Sequence, residues 1–305
     1  TLENPTYITT ETVQEAIKSF GDYKAPGPDG FKPCVLKNLS EDGVEYLTRL
    51  MRASMLLSYT PTSWTESKVI FIPKPDKDSY SQPRSFRPIS LMSFIMKVQE
   101  RCILWYLQKT TFSETPLNKN QHAFRKGRSC DSALTNMTEY LESGLVKSKV
   151  SMGVFLDIQG AFDNVPIKTI IKGMKDKKID KSIIKWYTDF LKFRTINIEH
   201  KGNNITRYLT KGTPQGGVLS PVVWNLGFDS FLKQYADNSK VKVVGFADDA
   251  ALVSTANEPE TVKENMQKAI DKALQWGHKN QLNFAPTKTV AVMFTRKRIN
   301  TKEFP

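Results

Sequence analysis

"VVGFADDAALVS", residues 243–254, sets two adjacent carboxylates, Asp248 and Asp249, into an otherwise apolar run. Apolar residues on both sides of a polar dipeptide read as two strands joined by a tight turn, and Asp favours turns. A second reading is that both carboxylates face a divalent cation, because buried charge is costly unless a metal or a partner neutralises it. The dodecapeptide leaves both readings open. Upstream, "GVFLDIQGAFDNV" (153–165) repeats the pattern, an apolar strand that delivers Asp157 at its tip. Three carboxylates at the ends of adjacent strands can hold two divalent ions about 4 Å apart, an arrangement that stabilises both the attacking and the leaving oxygen in phosphoryl transfer. Mg2+ is the expected ion, since it takes hard oxygen ligands and completes its shell with water and phosphate.

The rest of the composition suits such a centre. The chain has 305 residues, near the size at which one core divides, so two lobes are expected. Lys and Arg number 44 against 31 Asp and Glu, a formal charge of +13 that suits a polyanionic partner such as nucleic acid or an anionic membrane surface. No apolar run approaches the roughly 20 residues of a membrane span. Cys34, Cys102 and Cys130 lie far apart without a CxxC pair, which argues against a zinc site or a disulfide framework. His122, His200 and His278 share no ligand spacing. The opening "TLENPTYITT" has no initiator Met and no signal region, so a segment of something longer is expected.

Periodicity predicts a helix capped by Thr10 and ended by Gly21, a helix around 47–55, and a strand at 67–75 stopped by prolines. A long buried helix is predicted through "RPISLMSFIMKVQERCILWYL" (87–107). Further helices are predicted at 131–146, 166–175 and 180–193, with Asp163 as cap of the one beginning near Pro166. "INIEHKGNNITRYL" (196–209) reads as a hairpin. An apolar helix then runs to about Tyr235, a long helix from Pro259 to Asn280, and a strand through "TVAVMFT" (289–295). Helices mixed with hairpin strands argue for an α+β architecture. "KAPGPDGF" (24–31) breaks regular structure and has no chemical reading.

"FLDIQGAFDNV", "GTPQGGVLSPVVWNL", "GFADDAALV" and "LNFAPTKTVAVMFT" occur in the order and spacing of the palm motifs of reverse transcriptases, and "KAPGPDGF", "IPKPDKDSYSQPRSFRPISL" and "QHAFRKGRSCDSA" extend the match upstream. The upstream motifs and "APTKT" resemble the non-LTR retrotransposon enzymes of the jockey-like kind, with group II intron enzymes more distant. The resemblance implies a right-hand polymerase, its antiparallel palm sheet backed by helices. It assigns 1–130 to the fingers, 131–166 to the palm, 167–210 to the fingers again and 211–305 to the palm. The thumb is expected beyond Pro305, in a longer polyprotein that also carries an endonuclease region.

Residue by residue, the resemblance implies that Asp157 and Asp248 are the main ligands of two Mg2+ ions, with Asp249 completing the site and Mn2+ as an alternative. Asp249 as a plain turn residue is the competing reading. Phe162 falls where the family sets an aromatic ring under the incoming sugar, and a ring against C2′ rejects a 2′-hydroxyl by clash. Gly212, Gln215 and Gly216 fall where backbone approaches the templating base and the nucleotide. Lys74 and Arg87 match residues that grip the triphosphate. Lys288 matches a lysine that protonates the pyrophosphate leaving group. Arg125, Lys126 and Arg128 fall along the template path. The implied activity is RNA-directed DNA synthesis from an RNA template, a DNA or RNA primer and dNTPs, in a nuclear and cytoplasmic ribonucleoprotein and without membrane partners. The rival readings are a catalytically inactive nucleic-acid-binding scaffold and a two-metal nuclease, neither of which needs Phe162 or a triphosphate grip.

Overall fold

A computed structural model of the protein describes residues 5–236 and 240–297. In chain order its longer helices are α1 (Thr10–Lys18), α2 (Glu41–Leu57), α3 (Phe94–Lys109), α4 (Cys130–Val146), α5 (Ile167–Asp176), α6 (Lys181–Lys192), α7 (Ser220–Lys233) and α8 (Pro259–Asn280). The strands are β1 (Glu66–Pro73), β2 (Phe86–Met92), β3 (Val150–Asp157), β4 (Thr195–His200), β5 (Asn203–Tyr208), β6 (Val241–Phe246), β7 (Asp249–Ala256) and β8 (Val290–Phe294). None of the described helices is long and apolar enough to cross a membrane.

The chain divides into two compact units, residues 1–116 with 166–223 and residues 117–165 with 224–305. In the second unit Asn120 and His122 exchange backbone hydrogen bonds with Gly245 at 2.8 and 2.9 Å, which ties that segment to β6. In the first the Ser90 N–H donates to the Gln215 carbonyl at 2.8 Å and ties the glycine-rich loop to β2.

The first unit holds a four-stranded sheet of order β2-β1-β4-β5. β1 and β2 are antiparallel, with Ile72 opposite Arg87 and Pro73 opposite Phe86, and β4 runs parallel to β1. Here the structure corrects the long helix predicted from residue 87. Residues 86–92 are strand, and α3 begins only at Phe94, where the Ser93 hydroxyl accepts the Ile95 N–H. Pro88 explains it: proline keeps the preceding Arg87 extended and lacks a donor, which an edge strand tolerates. The loop "KAPGPDGF" packs on this β2–α3 junction. A Cβ at Gly27 would lie 2.5 Å from the Ser93 nitrogen and 2.6 Å from the Met92 carbonyl carbon, so backbone meets backbone there.

The second unit holds an antiparallel sheet of order β6-β7-β3-β8, against which α4 and α8 pack. The strand alternation sets its register, because a slip of one residue would turn every core side chain outward. Val150 thus pairs with Ala256 at one end of β3 and Asp157 with Asp249 at the other. α4 approaches closely at Gly144, where a Cβ would come within 2.8 Å of Ser151 Oγ and Thr255 Cγ2. Beside the sheet, Trp224, Phe228, Phe231 and Trp276 form a buried aromatic cluster with centroids 4.8–5.8 Å apart. Pro166 stands at the N-cap of α5 without a side-chain bond, and Asp163, expected as that cap, lies in a short helix at Ala161–Asn164.

Gly27→Ala is expected to destabilise the first unit by about 2 kcal/mol, since the neighbouring atoms are backbone and cannot rotate away. Gly30 has φ 75° and nothing within 4 Å of a built Cβ, so Gly30→Ala should cost only the conformational penalty, about 1 kcal/mol. Urea denaturation of both variants checks the order; equal losses would contradict the packing.

Candidate active site

The register of the second sheet brings the sequence-identified carboxylates together. Asp157, the last residue of β3, faces Asp249, the first of β7, as a direct cross-strand pair. Directly opposite residues project to the same face with Cβ atoms roughly 5 Å apart. Phe246 pairs with Asp249 across the β6–β7 hairpin, which leaves Ala247 and Asp248 as its two loop residues. Asp248 therefore sits in the turn beside the pair. "FADD" is therefore a tight hairpin, as expected, and it clusters charge.

That crowding has an electrostatic signature. Partial burial first, and then the Asp248 and Asp157 charges, push the Asp249 carboxyl above its ordinary value, with Lys288 pulling the other way. Lys288 lies in a short 3-10 turn, Pro286–Lys288, ahead of β8, and its Nζ forms an ion pair with Asp157 Oδ2. The Ala285 N–H donates to the Asp157 carbonyl at 2.8 Å, which fixes that turn against the strand end. Among the described residues no group of three or more His, Cys, Asp or Glu side chains is arranged as a ready-made metal cage, and Asp157 is directed to the Lys288 ammonium. The donor set is nevertheless chemically suited to a hard divalent cation, being all carboxylate oxygen with mutual repulsion that such a cation would relieve.

Phe162 lies four residues past the bridge between Ile158 and Phe284, in the short helix Ala161–Asn164. Its ring stacks on Trp224 at 5.7 Å, and Phe124 meets it edge-on at 6.2 Å. Trp224 is itself stacked on Phe228, so the half-buried Phe162 ring rests on a rigid aromatic column.

In the first unit, Lys74 and Arg87 share one face of the β1–β2 hairpin. The Lys74 N–H donates to the Ser85 carbonyl at 2.9 Å, continuing the register that sets Arg87 opposite Ile72. Lys74 Nζ reaches the Arg84 carbonyl at 3.0 Å, and the Arg87 side chain is exposed. The loop carrying Gly212, Gln215 and Gly216 is held by residues that sequence reasoning missed. Arg194 Nη2 donates to the Lys211 and Gly212 carbonyls at 3.0 and 3.1 Å. The buried Tyr187 hydroxyl lies 3.0 Å from Thr213 Oγ1. Gly216 has φ 127°, and a Cβ there would lie 2.6 Å from the Ser90 carbonyl oxygen; the glycine lets the loop sit on β2.

Glu100 of α3, wholly buried, accepts the Val218 N–H on Oε2 at 2.8 Å. Burial pushes its carboxyl up to about 7, against the Val218 amide, Lys97, the Leu219 amide and Arg101, which all act to lower it. A lone acid inside the apolar stretch "KVQERCILW" was the available signal.

Of the basic segment, Lys126 and Arg128 are exposed, whereas Arg125 turns inward and donates to the Asn118 and Gln121 carbonyls at 2.5 and 3.1 Å.

Comparison with known proteins places these observations in context. A family model described as reverse transcriptase (RNA-dependent DNA polymerase) matches residues 72–304. The probable RNA-directed DNA polymerase from transposon BS of Drosophila melanogaster is 29% identical over 304 residues, covering 98% of this chain and 33% of that protein. The RNA-directed DNA polymerase from mobile element jockey of the same organism is 24% identical, over 95% of this chain and 32% of that protein. The chain thus spans about a third of the length of these curated relatives. Among solved structures, apo telomerase from Candida tropicalis, truncated from its C-terminal domain, superimposes with a TM-score of 0.54 at 16% identity, over 79% of this chain and 52% of that one.

The Glu100 environment has a measurable consequence. Its folded value of about 7 exceeds its ordinary 4.5, so the folded state binds the proton more tightly. The stability of the wild type relative to Glu100→Gln is then greatest below pH 4.5 and falls as pH rises to about 7. The total change expected is on the order of 3 kcal/mol. Urea denaturation of both proteins at pH 5 and pH 8 checks it, and a stability difference that does not move with pH would contradict the buried-acid account.

Proposed function

The chain belongs to the reverse transcriptase (RNA-dependent DNA polymerase) family and has the α+β right-hand polymerase fold, and on that premise we propose that it is the catalytic domain of an RNA-directed DNA polymerase that copies retrotransposon RNA. The observation that carries this reading is the facing of Asp157 and Asp249 across β3 and β7, with Asp248 in the adjoining turn. Asp157, Asp248 and Asp249 are the residues that would hold divalent metal, Mg2+ by the hardness of their oxygens. When bound, the metal supplies charge neutralisation for the attacking and leaving oxygens of an in-line displacement at the α-phosphate of a dNTP.

The chain's own residues supply the rest. Phe162, backed by Trp224, excludes a 2′-hydroxyl from the sugar position by steric occupation. Lys74 and Arg87 bind the triphosphate, Lys as a point charge and Arg as a bidentate fork. Lys288, whose ammonium lies against Asp157, hands a proton to the departing pyrophosphate in this reading. Gly212, Gln215 and Gly216 present backbone to the templating base and nucleotide, on a loop that Arg194 and Glu100 hold still. Lys126 and Arg128 contact template phosphates, while Arg125 shapes that loop from within. Template RNA, a primer with a free 3′-hydroxyl and dNTPs are therefore the expected partners.

Single-nucleotide addition on a primed RNA template tests this reading. Asp248→Asn should lower the rate roughly 10²-fold or more, as loss of a preorganised charge at a reacting centre does. Phe162→Val should retain dNTP addition and raise ribonucleotide acceptance roughly 10- to 100-fold, the range of a single steric contact. Cleavage of the nucleic acid without addition would instead favour the nuclease. Binding without either reaction would favour the inactive scaffold.

A further inference from the structure

Ala247, the first loop residue of the β6–β7 hairpin, has φ 56°. That is the position at which a two-residue hairpin loop ordinarily uses glycine, because a Cβ disfavours the left-handed region. A residue held there persists only where its surroundings over-determine it. Here the surroundings are specific. Gln121, 2% exposed, donates from Nε2 to the Ala247 carbonyl at 3.1 Å and accepts the Ala247 N–H on Oε1 at 3.2 Å. Oε1 also accepts the Ala123 N–H at 3.0 Å. Two N–H donors converge on one atom and a carbonyl meets the other, which fixes which end of the amide is oxygen. Trp224 Nε1 adds a bond to the same Ala247 carbonyl at 2.9 Å.

Gln121 is itself anchored on both sides. Its N–H donates to the Asn118 carbonyl at 3.0 Å, and the neighbouring Asn120 and His122 bond to Gly245, two residues before Ala247. The buried His122 ring lies 2.7 Å from Ser132 Oγ, the hydroxyl that completes the capping box of α4. The amide is thus carried on a fixed segment and grips both backbone polar groups of one strained residue, directly ahead of Asp248.

We propose that Gln121 is the positioning residue of the Asp248–Asp249 pair: its carboxamide clamps Ala247 in the left-handed conformation and so holds the turn that presents both carboxylates. This rests on the reading of that pair as cation-holding groups of a polymerase. A glutamine that merely satisfied its own buried polar atoms would matter for stability alone. A clamp that enforces a backbone angle becomes dispensable once the residue it grips tolerates that angle.

The test compares wild type, Gln121→Met, Ala247→Gly and the double variant, measuring Mn2+ affinity, single-nucleotide addition and primer–template affinity at a temperature where all are folded. Gln121→Met should weaken Mn2+ binding and slow addition by at least 10-fold each, the latter in kcat, with primer–template affinity unchanged. Adding Ala247→Gly should restore most of both losses. Wild-type Mn2+ binding and addition in Gln121→Met would overturn the clamp, as would losses that Ala247→Gly does not relieve. Should Gln121→Met fail to fold, the double variant is compared with Ala247→Gly alone: equal Mn2+ affinity and kcat in the two support the clamp, and a further 10-fold loss in the double variant overturns it. If wild type itself adds no nucleotide while the Mn2+ pattern holds, the polymerase reading falls and the clamp stands.

Discussion

Like charges brought together at the end of an antiparallel sheet repel, and much of the second unit's local structure follows from holding them there anyway. Two carboxylates about 4 Å apart at a protein surface oppose each other by roughly 4 kcal/mol at an effective dielectric near 20. The register of β3 against β7 gives Asp157 and Asp249 no freedom to separate, because sliding the strands would expose Val150, Val154 and Leu156, all buried. The hydrophobic alternation of the strands therefore confines the charges. Lys288 supplies one opposing charge, on a turn pinned to the end of β3. Burial first, and then the Asp248 and Asp157 charges, push the Asp249 carboxyl up, with Lys288 pulling the other way.

Each unit also has its own rigid supports. The Phe162 ring rests on Trp224 and, through it, on the buried stack that includes Phe228 and Phe231. Trp224 serves twice, as its indole N–H also holds the Ala247 carbonyl. In the first unit the glycine-rich loop is laid against β2 at Gly216 and held from below by Glu100. In each case a candidate-site residue is backed by one that keeps it in place. Such backing is what a site that works by positioning and electrostatics requires.

The amino-acid pattern was most informative where periodicity and chemistry coincided. α4, α6, α8, the β4–β5 hairpin and the strands flanking Asp248 were legible because their apolar spacing is regular. Two apolar strands with acids at their tips made a carboxylate cluster legible, whereas the register that sets Asp249 opposite Asp157, with Asp248 in the turn, was not. The pattern failed where local rules compete: "RPISLM" has helical composition, but Pro88 and pairing with β1 make it strand. Asp163 resembled a cap, yet Pro166 took that position. Arg125 looked like its exposed neighbours in sequence and turned inward, because two carbonyls lay within reach. Gln121, Arg194 and Glu100 serve through contacts with residues from 17 to more than 100 positions away, and no short-range spacing announces such partners.

Anomalous diffraction from crystals of the protein grown with Mn2+ tests the central claim most directly, because it locates the ion without requiring turnover. The account predicts Mn2+ ligated by carboxylate oxygens of Asp157 and Asp248, with Asp249 beside it and Lys288 displaced from Asp157. Mn2+ bound elsewhere while the Asp157–Lys288 pair stays intact would contradict it, and the two aspartates of "FADD" would then be turn residues alone.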